Sequence, residues 1–117
     1  MIGPGTDRRI MVAVKPIDFR AGINSLTALV ATSLDGDPYL GDVWIFRSKR
    51  LDRLKLLVWD GTGMILATKW LESGSFKWPP VRDGTIVLGV AQMALLMEGL
   101  EWSRSTPVTV KRPTLVG

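Results

Sequence analysis

The chain has 117 residues, of which 46% are hydrophobic, and this is the size of one ordinary globular domain with a core of its own. It contains no cysteine and no histidine, which excludes disulfides, thiol nucleophiles, histidine acid–base chemistry and the usual zinc sites. The formal net charge of +4 is compatible with a polyanionic partner such as DNA, and equally with a soluble basic protein that has no such partner.

We predict a single domain over residues 1–117, with a folded core at about residues 8–103 between a loose N-terminal arm and an extended C-terminal tail. Glycine and proline near the two ends favour irregular structure there. No stretch approaches the roughly 20 apolar residues of a membrane span, and the N-terminus lacks an apolar segment followed by a cleavage site. The sequence therefore predicts a protein of the cytoplasm with no membrane association.

The first half of the chain is predicted to form a strand, a helix and a second strand. The first strand is Ile10–Val14, a short run rich in β-branched residues that Pro16 ends. A turn at residues 35–38 separates the helix from the next strand, Val43–Arg47. Asp18 can cap the helix, whose apolar residues recur at helical spacing and give one stripe for the core: Phe19, Ile23, Leu26, Leu29 and Val30.

The second half is predicted to form three more strands and a second helix. Leu54–Trp59 and Met64–Trp70 are joined by the turn residues 60–63 as a β-hairpin. Thr85–Leu88 is a short strand, and Val90–Leu100 is a helix. The order of elements predicts an α+β fold, with a largely antiparallel sheet of four to five strands and two helices packed on one face.

The hairpin assigns the side chains of its two strands to faces of the sheet. A loop of two or four residues leaves Trp59 opposite Met64, whereas a three-residue bulged loop would shift this register. With the first register, one face is aliphatic and is expected to be buried: Leu54, Leu56, Val58, Ile65 and Ala67. The other face mixes cations with large apolar groups and is expected to point to solvent or a partner: Arg53, Lys55, Leu57, Trp59, Met64, Leu66, Thr68 and Trp70. An apolar patch of this size predicts a homo-oligomer.

The densest basic segment lies around the turn before the hairpin and supplies the candidate nucleic-acid-binding residues: Arg47, Lys49, Arg50, Arg53 and Lys55. Cations of this kind hold phosphates, and an indole on the same face can stack on an exposed base. Two other interpretations stay open, which are a protein interface and a solvated loop whose charges protect a sheet edge.

Three tryptophans are candidate residues of a partner interface: Trp59, Trp70 and Trp102. The first two share the cationic face of the hairpin, and the third lies just beyond the second predicted helix. An alternative for Trp102 is a hydrophobic contact that closes the end of that helix.

Four acidic residues are candidates for a carboxylate-bound magnesium ion: Asp18, Asp60, Glu72 and Asp83. Each has a local explanation, because Asp18 can cap a helix and the other three stand in or beside glycine turns. We therefore predict no catalytic residue, no metal site and no cofactor.

Five motifs follow one another over most of the chain. They lie at residues 18–22, 43–47, 59–79, 83–84 and 92–102, and read DFRAG, VWIFR, WDGTGMILATKWLESGSFKWP, DG and QMALLMEGLEW. In this order they resemble the TnpB accessory family, the products of the second open reading frame of insertion-sequence-sixty-six transposable elements. The resemblance implies a non-catalytic accessory protein that acts in DNA transposition with a separate transposase of the same element, through protein contacts, DNA contacts or both. The alternatives are a stand-alone sequence-specific DNA-binding module and a small metal-dependent nuclease.

Overall fold

Five strands and two helices form the part of the chain that the computed structural model describes, residues 8–103. In chain order they are β1 (Ile10–Ile17), α1 (Ile23–Thr32), β2 (Val43–Ser48), β3 (Arg53–Trp59), β4 (Met64–Trp70), β5 (Thr85–Leu88) and α2 (Val90–Met97). Within this range no helix is long and apolar enough to cross a membrane. The predicted arm and tail, residues 1–7 and 104–117, lie outside the described residues.

The strands form one sheet in the order β4-β3-β2-β1-β5. β1 and β2 run parallel, and the other three neighbouring pairs run antiparallel. This arrangement confirms the predicted α+β class and its largely antiparallel sheet.

β1 and α1 differ from the prediction where they meet. β1 continues through Pro16, because its register with β2 shifts after Ala13 and this irregularity accommodates a residue without an amide hydrogen. α1 begins at Ile23 with Gly22 as its N-cap, so Asp18 does not cap it. The carboxylate of Asp18 instead accepts a hydrogen bond within its own loop, from the backbone N–H of Arg20.

The hairpin between β3 and β4 has the predicted register, with Trp59 opposite Met64. The Asp60 carboxylate closes its loop, since Oδ1 accepts the backbone N–H groups of Thr62 and Gly63 at 2.8 and 2.9 Å. These hydrogen bonds favour the ionised carboxylate and lower the pKa of Asp60 from its ordinary value. The conformation of the turn therefore accounts for this acidic residue.

The two helices lie on opposite faces of the sheet rather than on one face as predicted. On the first face, Val12 and Ile45 pack with Leu96 of α2. On the second face, Leu26 and Val30 of α1 pack with residues of the three central strands: Met11, Ala13, Trp44, Phe46 and Leu57. The physical reason is that parallel strands need a crossover, and α1 is the crossover between β1 and β2. The nearly continuous apolar runs of these strands are the pattern of strands buried on both faces.

This arrangement changes which side chains of the hairpin are buried. Leu54 and Leu57 point to opposite faces and are both fully buried. Leu56 and Val58 are half-buried, and Ile65 is 45% exposed. The predicted burial is confirmed for Leu54 and corrected for Ile65, because the described residues cover only part of that face.

Candidate nucleic-acid interface

The structure divides the predicted basic segment into exposed and buried cations. Lys49 and Arg50 lie exposed in the turn between β2 and β3, and Arg53 is half-buried at the start of β3. Arg47 and Lys55 are buried, with 7% and 9% of their surface exposed. Both buried side chains donate hydrogen bonds to backbone carbonyl groups of the same chain, which gives them a different role from the exposed cations.

Arg47 joins the end of β1 to the segment that follows β4. Its Nη1 donates hydrogen bonds to the carbonyl oxygens of Val14 at 3.3 Å and Pro79 at 2.8 Å, and its guanidinium lies 5.4 Å from the centre of the Trp78 ring. Burial penalises the cation and lowers the pKa of Arg47 from its ordinary value. Arg47 therefore acts inside the fold, away from solvent.

Lys55 holds the loop between β1 and α1 against the sheet. Its Nζ donates a hydrogen bond to the Ala21 carbonyl oxygen at 2.9 Å and lies 4.7 Å from the centre of the Phe19 ring. The expectation that Lys55 points to solvent or a partner was wrong, because the loop at residues 18–22 covers it. The hydrogen bond joins residues 34 positions apart, and the pattern of β3 alone carries no sign of it.

The same loop presents an ion pair between Asp18 and Arg20 at the surface. Arg20 donates to the carboxylate through its backbone N–H, its Nε and its Nη2, at 2.9, 3.1 and 2.8 Å. The hydrogen bonds from Arg20 hold the pKa of Asp18 well below its usual value, and the charge of Lys49 acts in the same direction. The Arg20 side chain remains 91% exposed, so the ion pair orients it without removing it from solvent.

Arg53, Phe19 and Trp70 form a cluster of one cation and two aromatic rings. The Arg53 Cζ lies 4.7 Å from the centre of the Trp70 ring and 5.6 Å from the centre of the Phe19 ring. The two rings are stacked, with centres 6.4 Å apart and an angle of 22° between their planes. The Arg53 Nε also donates a hydrogen bond to Asp52 at 3.1 Å. Trp70 is nevertheless 61% exposed, so the cluster presents an indole to solvent.

We define the Trp70 surface as the exposed and half-buried side chains of this cluster together with the cations of the neighbouring turns: Phe19, Arg20, Lys49, Arg50, Arg53 and Trp70. Sequence reasoning missed Phe19, which it placed in a helical stripe, and gave Arg20 no role. The spacing Asp-x-Arg is a signal that could have found Arg20. An aspartate that accepts the amide two residues later makes a local turn, which here directs the arginine back to the carboxylate.

The other two tryptophans with a predicted interface role lie elsewhere. Trp59 is half-buried at the hairpin end of β3 and makes an edge-to-face contact with Tyr39, with ring centres 5.3 Å apart. Trp102 is buried in the core beneath α2, where its Nε1–H donates to the Lys77 carbonyl oxygen at 2.7 Å. Neither side chain belongs to the Trp70 surface.

The four acidic candidates are dispersed over several local structures. Asp18 pairs with Arg20, Asp60 closes the hairpin loop, and Asp83 Oδ1 lies 3.8 Å from the Nζ of Lys15. Glu72 is exposed after β4. Within residues 8–103, no group of three or more acidic side chains is arranged to hold a metal ion.

A pocket of about 590 Å³ lies between α1 and the end of β1. Its lining includes Leu26, Leu29 and Leu34, and its charged residues are Lys15, Asp18 and Asp83. A pocket of this composition suits an apolar group better than a phosphate, because burial of apolar surface is its main favourable contact. The pocket includes Asp18 but none of the six residues of the Trp70 surface.

Comparison with known proteins places the chain in one family. The family model described as IS66 Orf2-like protein matches residues 8–107. An uncharacterized protein of Sinorhizobium fredii, y4jC, is 55% identical over 116 residues, which are 99% of each chain. A second uncharacterized protein of the same organism, y4hO, is 35% identical over 117 residues, which are 100% of each chain. No solved structure matches significantly. The chain therefore belongs to the IS66 Orf2-like family of insertion-sequence accessory proteins.

Proposed function

We propose that this protein acts in the cytoplasm in DNA transposition, together with a separate transposase of the same element. In this proposal it performs no catalytic step and contacts DNA through the Trp70 surface. Membership in a family of insertion-sequence accessory proteins supports the general role. The observation that carries the DNA contact is an exposed indole that contacts Arg53, together with exposed cations in the two turns that supply this cluster.

The charges of this surface favour a polyanion. Arg20, Lys49 and Arg50 are exposed, and the half-buried Arg53 adds a fourth positive charge. The nearby carboxylates, Asp18 and Asp52, each pair with one of these arginines and offset only part of the charge. Cations arranged in this way neutralise phosphates and release condensed counterions, which makes binding electrostatic and independent of sequence.

The structure gives less support to a stand-alone sequence-specific DNA-binding module. A recognition helix presents cations and polar groups to base edges in the major groove. α1 reads INSLTALVAT and α2 reads VAQMALLM, so neither contains a charged residue. Contact through the loops and turns of the Trp70 surface therefore fits this chain better.

The salt dependence of DNA binding tests the proposed contact. The double variant Lys49→Gln, Arg50→Gln is expected to flatten the slope of log affinity against log salt by about two, since each phosphate contact contributes about 0.9 on duplex DNA. Random sequences and element ends should be affected alike. Fluorescence anisotropy with labelled duplexes over a range of salt concentrations measures the slope.

A matched control removes two exposed cations from other parts of the surface, with Arg8→Gln just before β1 and Lys77→Gln after β4. This variant should retain nearly the slope of the natural protein. An unchanged slope in the Lys49, Arg50 variant would show that the Trp70 surface is not the footprint. Absence of binding by the natural protein at low salt would remove the DNA contact from the proposal.

Self-association remains a prediction, but its structural basis changes. The apolar patch expected on the hairpin does not form, because Leu57 is buried and Met64 and Leu66 pack against the cluster beneath α1. β4 is instead a regular edge strand, and its one charged residue, Lys69, donates a hydrogen bond to the Met97 carbonyl oxygen. It lacks the proline, bulge and free charges that commonly block edge-to-edge pairing.

We expect two copies to pair through the hairpin half of β4, Met64–Ala67, which leaves Trp70 outside the contact. Analytical ultracentrifugation at micromolar concentration should detect dimers, and Ile65→Lys should shift them toward monomers. Val87→Lys is the control, because Val87 is 59% exposed on the opposite edge strand, β5. Monomers alone in the natural protein, or an equal effect of the two substitutions, would contradict this interface.

A further inference from the structure

One side of the Trp70 indole is occupied by other side chains and the other side is open. The Arg53 Cζ lies 4.7 Å and the centre of the Phe19 ring lies 6.4 Å from the centre of the Trp70 ring. The Arg53 Cζ lies 5.6 Å from the centre of the Phe19 ring. Groups on opposite faces of an indole are separated by about twice the ~3.5 Å contact distance, or roughly 7 Å. Arg53 and Phe19 are therefore on the same side. Trp70 is 61% exposed, and among residues 8–103 the exposed surface is therefore mainly the opposite face and the outer edge of its ring.

Arg53 and Phe19 hold the Trp70 indole in one position. Arg53 is oriented by its hydrogen bond to Asp52, and Phe19 lies over the ammonium of the buried Lys55. A side chain that is already held in one orientation loses little conformational entropy when a ligand stacks on it. Trp70 is thus a pre-organised flat platform rather than a mobile surface tryptophan.

The surroundings of the platform determine which flat ligand it fits. The open face of the indole is apolar. Exposed cations lie in the two segments that supply the rest of the cluster: Arg20 directly follows Phe19, and Lys49 and Arg50 lie in the turn that leads to Arg53. A ligand with a π-face and flanking negative charges satisfies both parts of the surface. The bases of a regular duplex are stacked on one another, so their faces are not accessible. An unpaired nucleotide offers both its base and its phosphates.

We propose that the Trp70 surface binds single-stranded DNA, with an unpaired base stacked on the open face of the Trp70 indole. Arg20, Lys49 and Arg50 hold the flanking phosphates. This inference rests on the proposed DNA contact and adds to it a preference for unpaired nucleotides. Such nucleotides occur wherever the strands of an element are separated or cleaved.

Fluorescence anisotropy with a labelled oligothymidylate and a duplex of equal length tests the preference at one salt concentration. Base stacking on an aromatic side chain contributes about 1–3 kcal/mol, so Trp70→Ala should weaken single-strand binding by roughly 5- to 150-fold. Binding to the duplex should change less than twofold. Trp70→Phe should restore much of the single-strand affinity, because a smaller ring can still stack.

Two further measurements distinguish the contribution of base stacking from that of electrostatic attraction to the phosphates. An oligonucleotide with abasic sites keeps its phosphates but offers no base, so the natural protein should bind it as weakly as Trp70→Ala binds the complete strand. Trp59→Ala is the control for loss of an indole, because Trp59 lies at the opposite end of β3 from Arg53. It should leave single-strand affinity unchanged, with circular dichroism confirming that each variant is folded.

The outcomes distinguish this inference from the proposed function on which it rests. Equal weakening of single-strand and duplex binding by Trp70→Ala, or equal affinity of the natural protein for abasic and complete strands, would overturn the stacking site alone. If the natural protein binds neither DNA form at low salt, the DNA contact and the stacking site both fall. The exposed indole would then belong to a protein contact.

Discussion

Replacement of Leu57 by alanine is expected to lower the free energy of unfolding by about 2–5 kcal/mol, the range measured for buried leucines. Leu57 is fully buried and belongs to the cluster that Trp44 and Phe46 form beneath α1. The shorter side chain removes apolar contacts and leaves a cavity that large neighbours cannot fill by small movements. Urea denaturation followed by circular dichroism measures the loss.

The control for this prediction is Ile65→Ala in the neighbouring strand, where the side chain is 45% exposed. At concentrations where the protein is monomeric, which takes the proposed β4 contact out of the measurement, its expected cost is below about 1 kcal/mol, because it removes mainly solvent-exposed surface and some β propensity. Comparable losses for the two variants would show that α1 does not cover the face that carries Leu57. The comparison also tests whether Ile65 lies outside the core, because the alternation of the hairpin alone favours its burial.

Replacement of Arg47 by alanine is expected to cost about 2–4 kcal/mol, because a hydrogen bond from a charged donor contributes about 1.5–3 kcal/mol and the carbonyl acceptors are left without it. Arg47 donates to the carbonyl oxygens of Val14 and Pro79, and its guanidinium lies over Trp78. The substitution therefore loosens the connection between β1 and the segment after β4. Chemical denaturation measures this effect as well.

Two comparisons identify the origin of the Arg47 effect. Arg47→Met keeps an apolar stem of similar length without the donors. It should therefore recover the part of the unfolding free energy that comes from packing, but not the part that comes from the hydrogen bonds. Lys49→Ala, two residues along and exposed, should change stability by less than about 0.5 kcal/mol. A stable Arg47→Ala protein with a flattened salt slope for DNA binding would instead place Arg47 in the nucleic-acid footprint.

The parts of the fold that the sequence predicted well are those fixed by local chemistry. The hairpin register follows from the length of the loop and from Asp60, whose carboxylate binds amides two and three residues later. The faces on which the helices lie depend instead on contacts between distant segments. α1 carries one apolar stripe whichever face it packs on, and only the parallel pairing of β1 with β2 decides the matter.

The candidate site likewise contains residues that the local sequence predicts and residues that only distant contacts determine. Lys49 and Arg50 could be predicted as exposed because a charged turn between two strands is solvated wherever it lies. The burial of Lys55 depends on the Ala21 carbonyl group, which approaches from a distant part of the chain. Phe19 and Trp70 likewise meet only after β4 is placed at the sheet edge and the loop after β1 has folded over β3. Side-chain pairs of this kind leave no periodic trace in either segment.

The strand order also determines when this domain can be completed during synthesis. β2, β3 and β4 form a meander of neighbouring segments, whereas the second partner of β1 is β5, with Val12 opposite Ile86. Contacts between distant segments cannot form until the ribosome has released both of them. A nascent chain that has emerged only through β4 therefore carries an incomplete sheet with β1 on an open edge, and premature termination before Thr85 produces a fragment that keeps this edge permanently available for unwanted pairing.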